Sequence, residues 1–195
     1  VQRLGARLGA GFTEGGLHPS FGTRNFILPL VGGCCLEVGA ALDHPAVDRA
    51  PYGRAVRARA AEGGGWLTWV LRVDDIASLE HRLGRPGAEG HRRRPDGYEL
   101  RWRQIDVHEI AIDPQLPFFV HRYSPRSEHP SSAWSRVTLR RLEIAGEEQR
   151  IDDYLGTSNR QPLEYVEVDW LDPHDEGSGV VAAVFDTASG AVRVD

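Results

Sequence analysis

The chain of 195 residues contains no methionine and no lysine: all 23 of its basic Lys/Arg positions are arginine. It has only two cysteines, the adjacent pair Cys34 and Cys35. Neighbouring Cα atoms stand ~3.8 Å apart, below the usual disulfide span, so no disulfide framework is built and a reducing, cytoplasmic setting is expected. No apolar run approaches the ~18 residues of a membrane span, and residues 1–11 carry neither a basic leader region nor an apolar one. A basic surplus is also absent: the net charge is −5 with a pI near 5.9. That balance argues against nucleic acid as a partner, and no membrane partner is expected. The His-x-x-x-His, Cys-x-x-Cys, P-loop and Gly-x-Ser-x-Gly signatures do not occur. What is present, 41% hydrophobic and 26% charged residues, is enough for one substantial core or two small ones.

A repeated unit runs through the chain. Leu4-Gly5-Ala6-Arg7-Leu8-Gly9 resembles Leu79-Glu80-His81-Arg82-Leu83-Gly84, and Ile151-Asp152-Asp153-Tyr154-Leu155-Gly156 is a weaker third copy. Each reads as the end of an amphipathic helix followed by a glycine cap. The second helix has the clearest start, with Asp74 or Asp75 to cap it ahead of an Ile76, Leu79, Leu83 stripe. Strand patterns precede the second helix (66–73) and the third (137–144). Others follow each helix: 25–30 and 35–42; 98–105 and 118–123; 163–171, 180–186 and 191–194. The unit is thus strand, helix, then two or three strands. Nothing precedes the first helix, so an opening strand is expected within ~10 to 20 residues upstream of Val1. Glycines at 63–65, and a stretch at 124–135 with two prolines and five serines, punctuate the units. The predicted organisation is a first module at 1–61, a second at 62–123, a linker at 124–135, and a third, partial unit at 136–195. Residues 43–61 read equally as loop or short surface helix.

Four segments carry candidate chemistry. The glycine-punctuated run from Gly15 to Asn25, with His18, Thr23 and Asn25, either presents polar groups to a ligand or merely shapes a hairpin. Period-two alternation puts Cys35 and Glu37 on one strand face and Leu36 and Val38 on the other; a carboxylate there is solvated, paired or bound to a ligand or metal. A Pro95-Asp96-Gly97 turn separates Arg94 from a strand with Tyr98, Leu100 and Trp102 on one face and Glu99, Arg101 and Arg103 on the other. That charged face either holds an anion through arginine forks or is a salt-bridged surface. The third strand pattern groups Phe119, His121 and Tyr123, with His121 a ligand, a base or a structural histidine.

Several ordered motifs resemble a known family: Gly11-Phe12, Gly15-Gly16-x-His18-Pro19, Gly22-Thr23-x-Asn25, Leu36-Glu37, Arg94-Pro95-Asp96-Gly97-x-Glu99-Leu100-Arg101-Trp102 and Leu116-Pro117-Phe118-Phe119. The likeness, over about residues 1–123, is to the glyoxalase-like branch of the vicinal oxygen chelate (glyoxalase, bleomycin resistance and dioxygenase) superfamily. It implies an α+β fold in which paired βαβββ modules form curled mixed sheets around a cavity, here with a third partial module at the C-terminus. It further implies a divalent metal held by side chains from the first and last strands of each module: the last-strand positions fall on Glu37 and His121 as metal ligands and catalytic groups, that of the first strand of module one falls in the expected upstream strand, and the first strand of module two, 66–71, offers no good ligand. His18, Thr23, Asn25, Trp69, Arg94, Glu99, Arg101 and Trp102 become ligand-binding candidates. The function expected is binding of a small oxygen-rich or anionic molecule in the cup, with a metal-dependent lyase, isomerase or dioxygenase as the enzymatic form. The alternatives are a non-catalytic, sequestering protein whose Trp66, Trp69 and Trp102 stack on the ligand, or an interaction module whose third unit pairs with a second copy in a homodimer.

Overall fold

Helix α1 (Gln2–Leu8) opens the chain and is followed by strands β1 (Thr13–His18), β2 (Thr23–Pro29) and β3 (Cys35–Ala41). The short helix α2 (Ala46–Arg49) and the longer α3 (Pro51–Ala61) lead to the second module. That module is β4 (Val70–Arg72), α4 (Ile76–Leu83), β5 (Ala88–Arg93), β6 (Glu99–Ile105) and β7 (Phe118–Arg122). The third unit is β8 (Thr138–Ala145), α5 (Glu148–Leu155), β9 (Glu167–Leu171), β10 (Gly179–Thr187) and β11 (Gly190–Val194). The structure, a computed structural model, describes residues 1–107, 110, 112–156, 165–173 and 177–195. No helix among them is long and apolar enough to cross a membrane.

The first seven strands make one curled mixed sheet in the order β3-β2-β1-β5-β6-β7-β4. Its ladders are antiparallel except β4 with β7. The two modules abut through β1 and β5, joined by one register pair, Leu17 with Arg93. The expected strand at 66–73 shortens to Val70–Arg72 because its tryptophans leave the ladder: the Trp66 indole donates to Val194 O at 3.1 Å and that of Trp69 to Gln115 O at 2.8 Å. Helix α4 begins as its sequence dictates, with the Asp75 carboxylate accepting from Ser78 N at 3.0 Å, and ends on Gly84 in the left-handed region.

The third unit has the full strand-helix-strand-strand-strand order but different pairing. In module two the opening strand β4 stands at the sheet edge; here β8 lies inside the order β11-β10-β8-β9, parallel to β9. The tight β10–β11 hairpin leaves one edge of β10 for β8. The third unit thus forms a second, four-stranded sheet. Of the predicted 163–171 strand, residues 163 and 164 lie outside the described residues, and β9 begins at Glu167.

Alternation along the strands divides the molecule into two apolar regions. Leu28, Leu36, Ile105 and Phe119 project from the convex face of the seven-stranded sheet into a core shared with Leu8, Ile76 and Leu79 of the helices and Leu142, Ile144, Ile151 and Phe185 of the third unit. Phe118 and Val120 project to the concave face and meet Trp102 and Tyr52, which brings α3 over the cup. Residues 43–61, ambiguous in sequence, thus supply a helical cover, and Val47 of α2 is fully buried.

Candidate functional site

The concave face is lined by polar side chains that strand alternation turns inward. His18 pairs with Thr23 across β1 and β2, and Asn25 and Glu37 arise from β2 and β3. From the second module come Arg92 on β5, opposite Leu100, and Trp102 and Gln104 on β6. Arg92 is 3% exposed and Asn25 2%, yet Glu37 is open to solvent although protein surrounds it, the situation of a group in a concave mouth.

A hydrogen-bonded chain crosses the module boundary. Arg92 Nη1 donates to Asn25 Oδ1 at 3.2 Å, and Asn25 Nδ2 donates to Glu37 Oε2 at 2.8 Å. Gly15 on the intervening β1 makes this reach feasible: a Cβ there would overlap the Asn25 amide and crowd Arg92 Nη1. Beside the chain, His18 Nδ1 lies 3.3 Å from Thr23 Oγ1, and its ring meets Trp102 edge-on at 5.9 Å. Arg92 Nε and Nη2 are buried without a hydrogen-bond partner. Leaving such donors unmet costs about 1–3 kcal/mol each, more for charged groups.

The electrostatics fix each group in one state near neutral pH. Burial would raise the Glu37 carboxyl, but Arg92, His18 and the Asn25 hydrogen bond outweigh it and hold it below the ordinary carboxylate range. Burial holds His18 down to about 4, against the pull of Glu37. His129, from a turn after β7, is lowered to about 3 by burial and by Arg122 and Arg92. Burial, with Glu37 adding to it, pushes Cys35 up to about 12, and the same two causes raise the Tyr52 hydroxyl. The mouth therefore holds a carboxylate, a guanidinium and neutral imidazoles.

Of the residues expected from sequence, the fold gathers Glu37, His18, Thr23, Asn25 and Trp102 and places the others elsewhere. His121 pairs with Arg103 on the opposite, convex face, where its Nδ1 lies 3.1 Å from Val73 O. The inward positions of β7 are Val120 and Arg122, one residue to either side, so Glu37 and His121 cannot share an ion. Trp69 is buried in the convex core. Arg94 is tied to Asp96 and, at 3.0 Å, to Glu128. Glu99 and Arg101 are exposed on the outer face of β6, where the adjacent Arg103 holds Glu80 and Glu89; that face is salt-bridged surface because Trp102 and Leu100 take the inner one. Among the described residues no three His, Cys, Asp or Glu side chains converge as metal ligands. An amide and a guanidinium accompany Glu37, so this donor set does not fit a divalent metal.

Arg92 and His129 were not singled out by sequence. The signal for Arg92 is its alternation: Gly90 and Arg92 are buried and the following Arg93 is exposed. His129 lies in the segment expected to be a linker, which instead folds as 3-10 turns at Arg126–Glu128 and Pro130–Ser132 and buries His129 and Ser131.

Residues 1–153 match the glyoxalase-like domain family. The chain belongs to that family. The family match ends within α5, leaving β9, β10 and β11 beyond it. A solved structure described as a hypothetical protein from Staphylococcus aureus shares the fold, with a TM-score of 0.55 and 12% identity over 94% of this chain and 76% of that one. No curated protein matches. In this cup the Arg92–Asn25–Glu37 chain bridges the two modules.

Proposed function

We propose that this glyoxalase-like protein binds a small oxygen-rich anion in the cup, with Arg92 as its anchor, independently of a metal. The reading is carried by the two unpartnered N–H-bearing nitrogens of Arg92. A carboxylate accepts from a guanidinium fork in bidentate geometry, which satisfies both at once. Trp102 offers an apolar wall, and Glu37 an acceptor for a ligand hydroxyl. The acid–base groups favour binding over proton-transfer catalysis: an efficient general base titrates near the working pH, whereas His18, at about 4, and Glu37, held low, do not.

Calorimetric titration of the full chain with pyruvate, oxalate and malonate tests the proposal. At least one is expected to bind saturably and equally well with EDTA present. Arg92→Gln is expected to weaken binding about tenfold or more, and Glu37→Gln to strengthen it, because a like charge leaves the mouth. Absence of saturable binding by all three anions, or binding that EDTA abolishes, would overturn the reading. The Glu37→Gln arm keeps the test decisive should Arg92→Gln fail to fold.

A further inference from the structure

A second pocket opens where the turn before β3 faces β4 and β7. It encloses about 180 Å³ and is lined by Gly33, Arg72, Arg122, Arg126, Ser131 and Ser132. Three guanidinium groups thus converge from β4, β7 and the turn at Arg126–Glu128. Among the described residues none of the three has a carboxylate within ion-pairing distance, although arginines elsewhere, such as Arg94 and Arg103, hold two each. Arg122 Nη1 has only Ser131 Oγ, at 3.4 Å. Burial, and then repulsion from Arg126 and Arg122, depress the Arg72 guanidinium. The Asp74 carboxylate, beyond ion-pairing distance, offsets this repulsion only in part, so the converging like charges favour an anion among them.

We propose that this pocket binds a phosphoryl group, through Arg72, Arg122 and Arg126 with the Ser131 and Ser132 hydroxyls. Size selects a group rather than a whole organic ligand, since sites for drug-sized molecules run to about 300–1,000 Å³. Geometry selects a tetrahedral anion. A planar carboxylate is matched by one or two forks, whereas phosphate oxygens point in several directions and accept from donors arriving from separate elements. The backbone leaves room for this: a Cβ on Gly33 would stand 3.1 Å from Arg126 Nη2. The pocket adjoins the cup through Arg122, an inward residue of β7, but it uses neither Arg92 nor Glu37, so its test is separate from that of the cup.

The test is titration of the full chain at low salt with inorganic phosphate and, separately, with glycerol 3-phosphate, followed by calorimetry and ³¹P NMR. Saturable binding that weakens with added salt is expected. Arg72→Gln and Arg126→Gln, both at exposed positions, should each weaken it about tenfold without lowering the melting temperature of the free protein. Equal affinity for the two probes would identify free phosphate as the ligand; tighter binding of glycerol 3-phosphate would identify an organic phosphomonoester. Either result supports the proposal. No saturable binding of either probe, wild-type binding by both variants, or binding lost only on Arg92→Gln would overturn it.

Discussion

Arg92 shows how a single side chain can be held in an unsatisfied state: its strand buries it, Gly15 clears its path, and Asn25 takes only one of its nitrogens. The neighbouring histidines make a complementary prediction in pH. His18 takes up a proton near 6.5 in the unfolded chain but only near 4 in the folded one. Between these values the unfolded state binds more protons, so stability is full above about 6.5 and falls as the pH drops toward 4. At 1.36 kcal/mol per unit the loss from His18 approaches about 3 kcal/mol, and His129, lowered to about 3, adds to it in the same direction. Urea denaturation from pH 7 to 4 is expected to show this decline, and His18→Gln to reduce its slope; a flat profile would contradict the buried neutral state. Sequence alternation was sufficient to set Glu37 on the face opposite Leu36 and Val38, leaving open which face turns inward. It grouped His121 with Phe119 correctly as well, but which of the two faces is concave depends on long-range sheet curl, which local periodicity does not encode.

At the scale of elements, the three repeated helices were legible, whereas α2, α3 and the strands β1 and β5 were not. Residues 76–83 announce their cap, apolar stripe and terminal glycine locally, whereas β1 and β5 contain paired glycines or charged runs that read as loop and surface. Their strand character comes from partners distant in sequence. Helix α3 offers a prediction whose sign opposes propensity. Replacing a mid-helix glycine by alanine ordinarily stabilises by up to about 1 kcal/mol. At Gly53 the added Cβ would collide with the carbonyl oxygens of Phe21 and Val47, and these backbone atoms cannot rotate away. Gly53→Ala is therefore expected to destabilise the protein and loosen the cover over the cup. A higher urea midpoint for the variant would refute the packing of α3 against 21–47.

For the whole molecule, the decisive fact is that the third unit closes the convex core. Tyr154 of α5 stacks on Phe119 at 5.4 Å and donates its hydroxyl to Asp106 Oδ2 at 2.6 Å, while Arg85 pairs with the same buried carboxylate at 2.9 Å. Both sheets should consequently unfold as one body. Removing the hydroxyl in Tyr154→Phe strips a partner from a buried acceptor and is expected to cost about 1–3 kcal/mol. Tyr154→Ala, which also leaves a cavity against Phe119, should cost about 3–5 kcal/mol. Coincident denaturation curves from tryptophan fluorescence and far-UV circular dichroism check the single transition; two separated transitions would show independent units. The repeated helix signatures revealed that three units exist, yet not that the third pairs its strands differently, since pairing order is a property of the assembled sheet. The lone Leu17–Arg93 rung between β1 and β5 has a mechanical meaning. With so little backbone ladder across the seam, the two halves of the bowl are laced by side chains, Arg92 to Asn25 foremost, so the anion proposed to bind there would act as a rivet and set how far the bowl can splay.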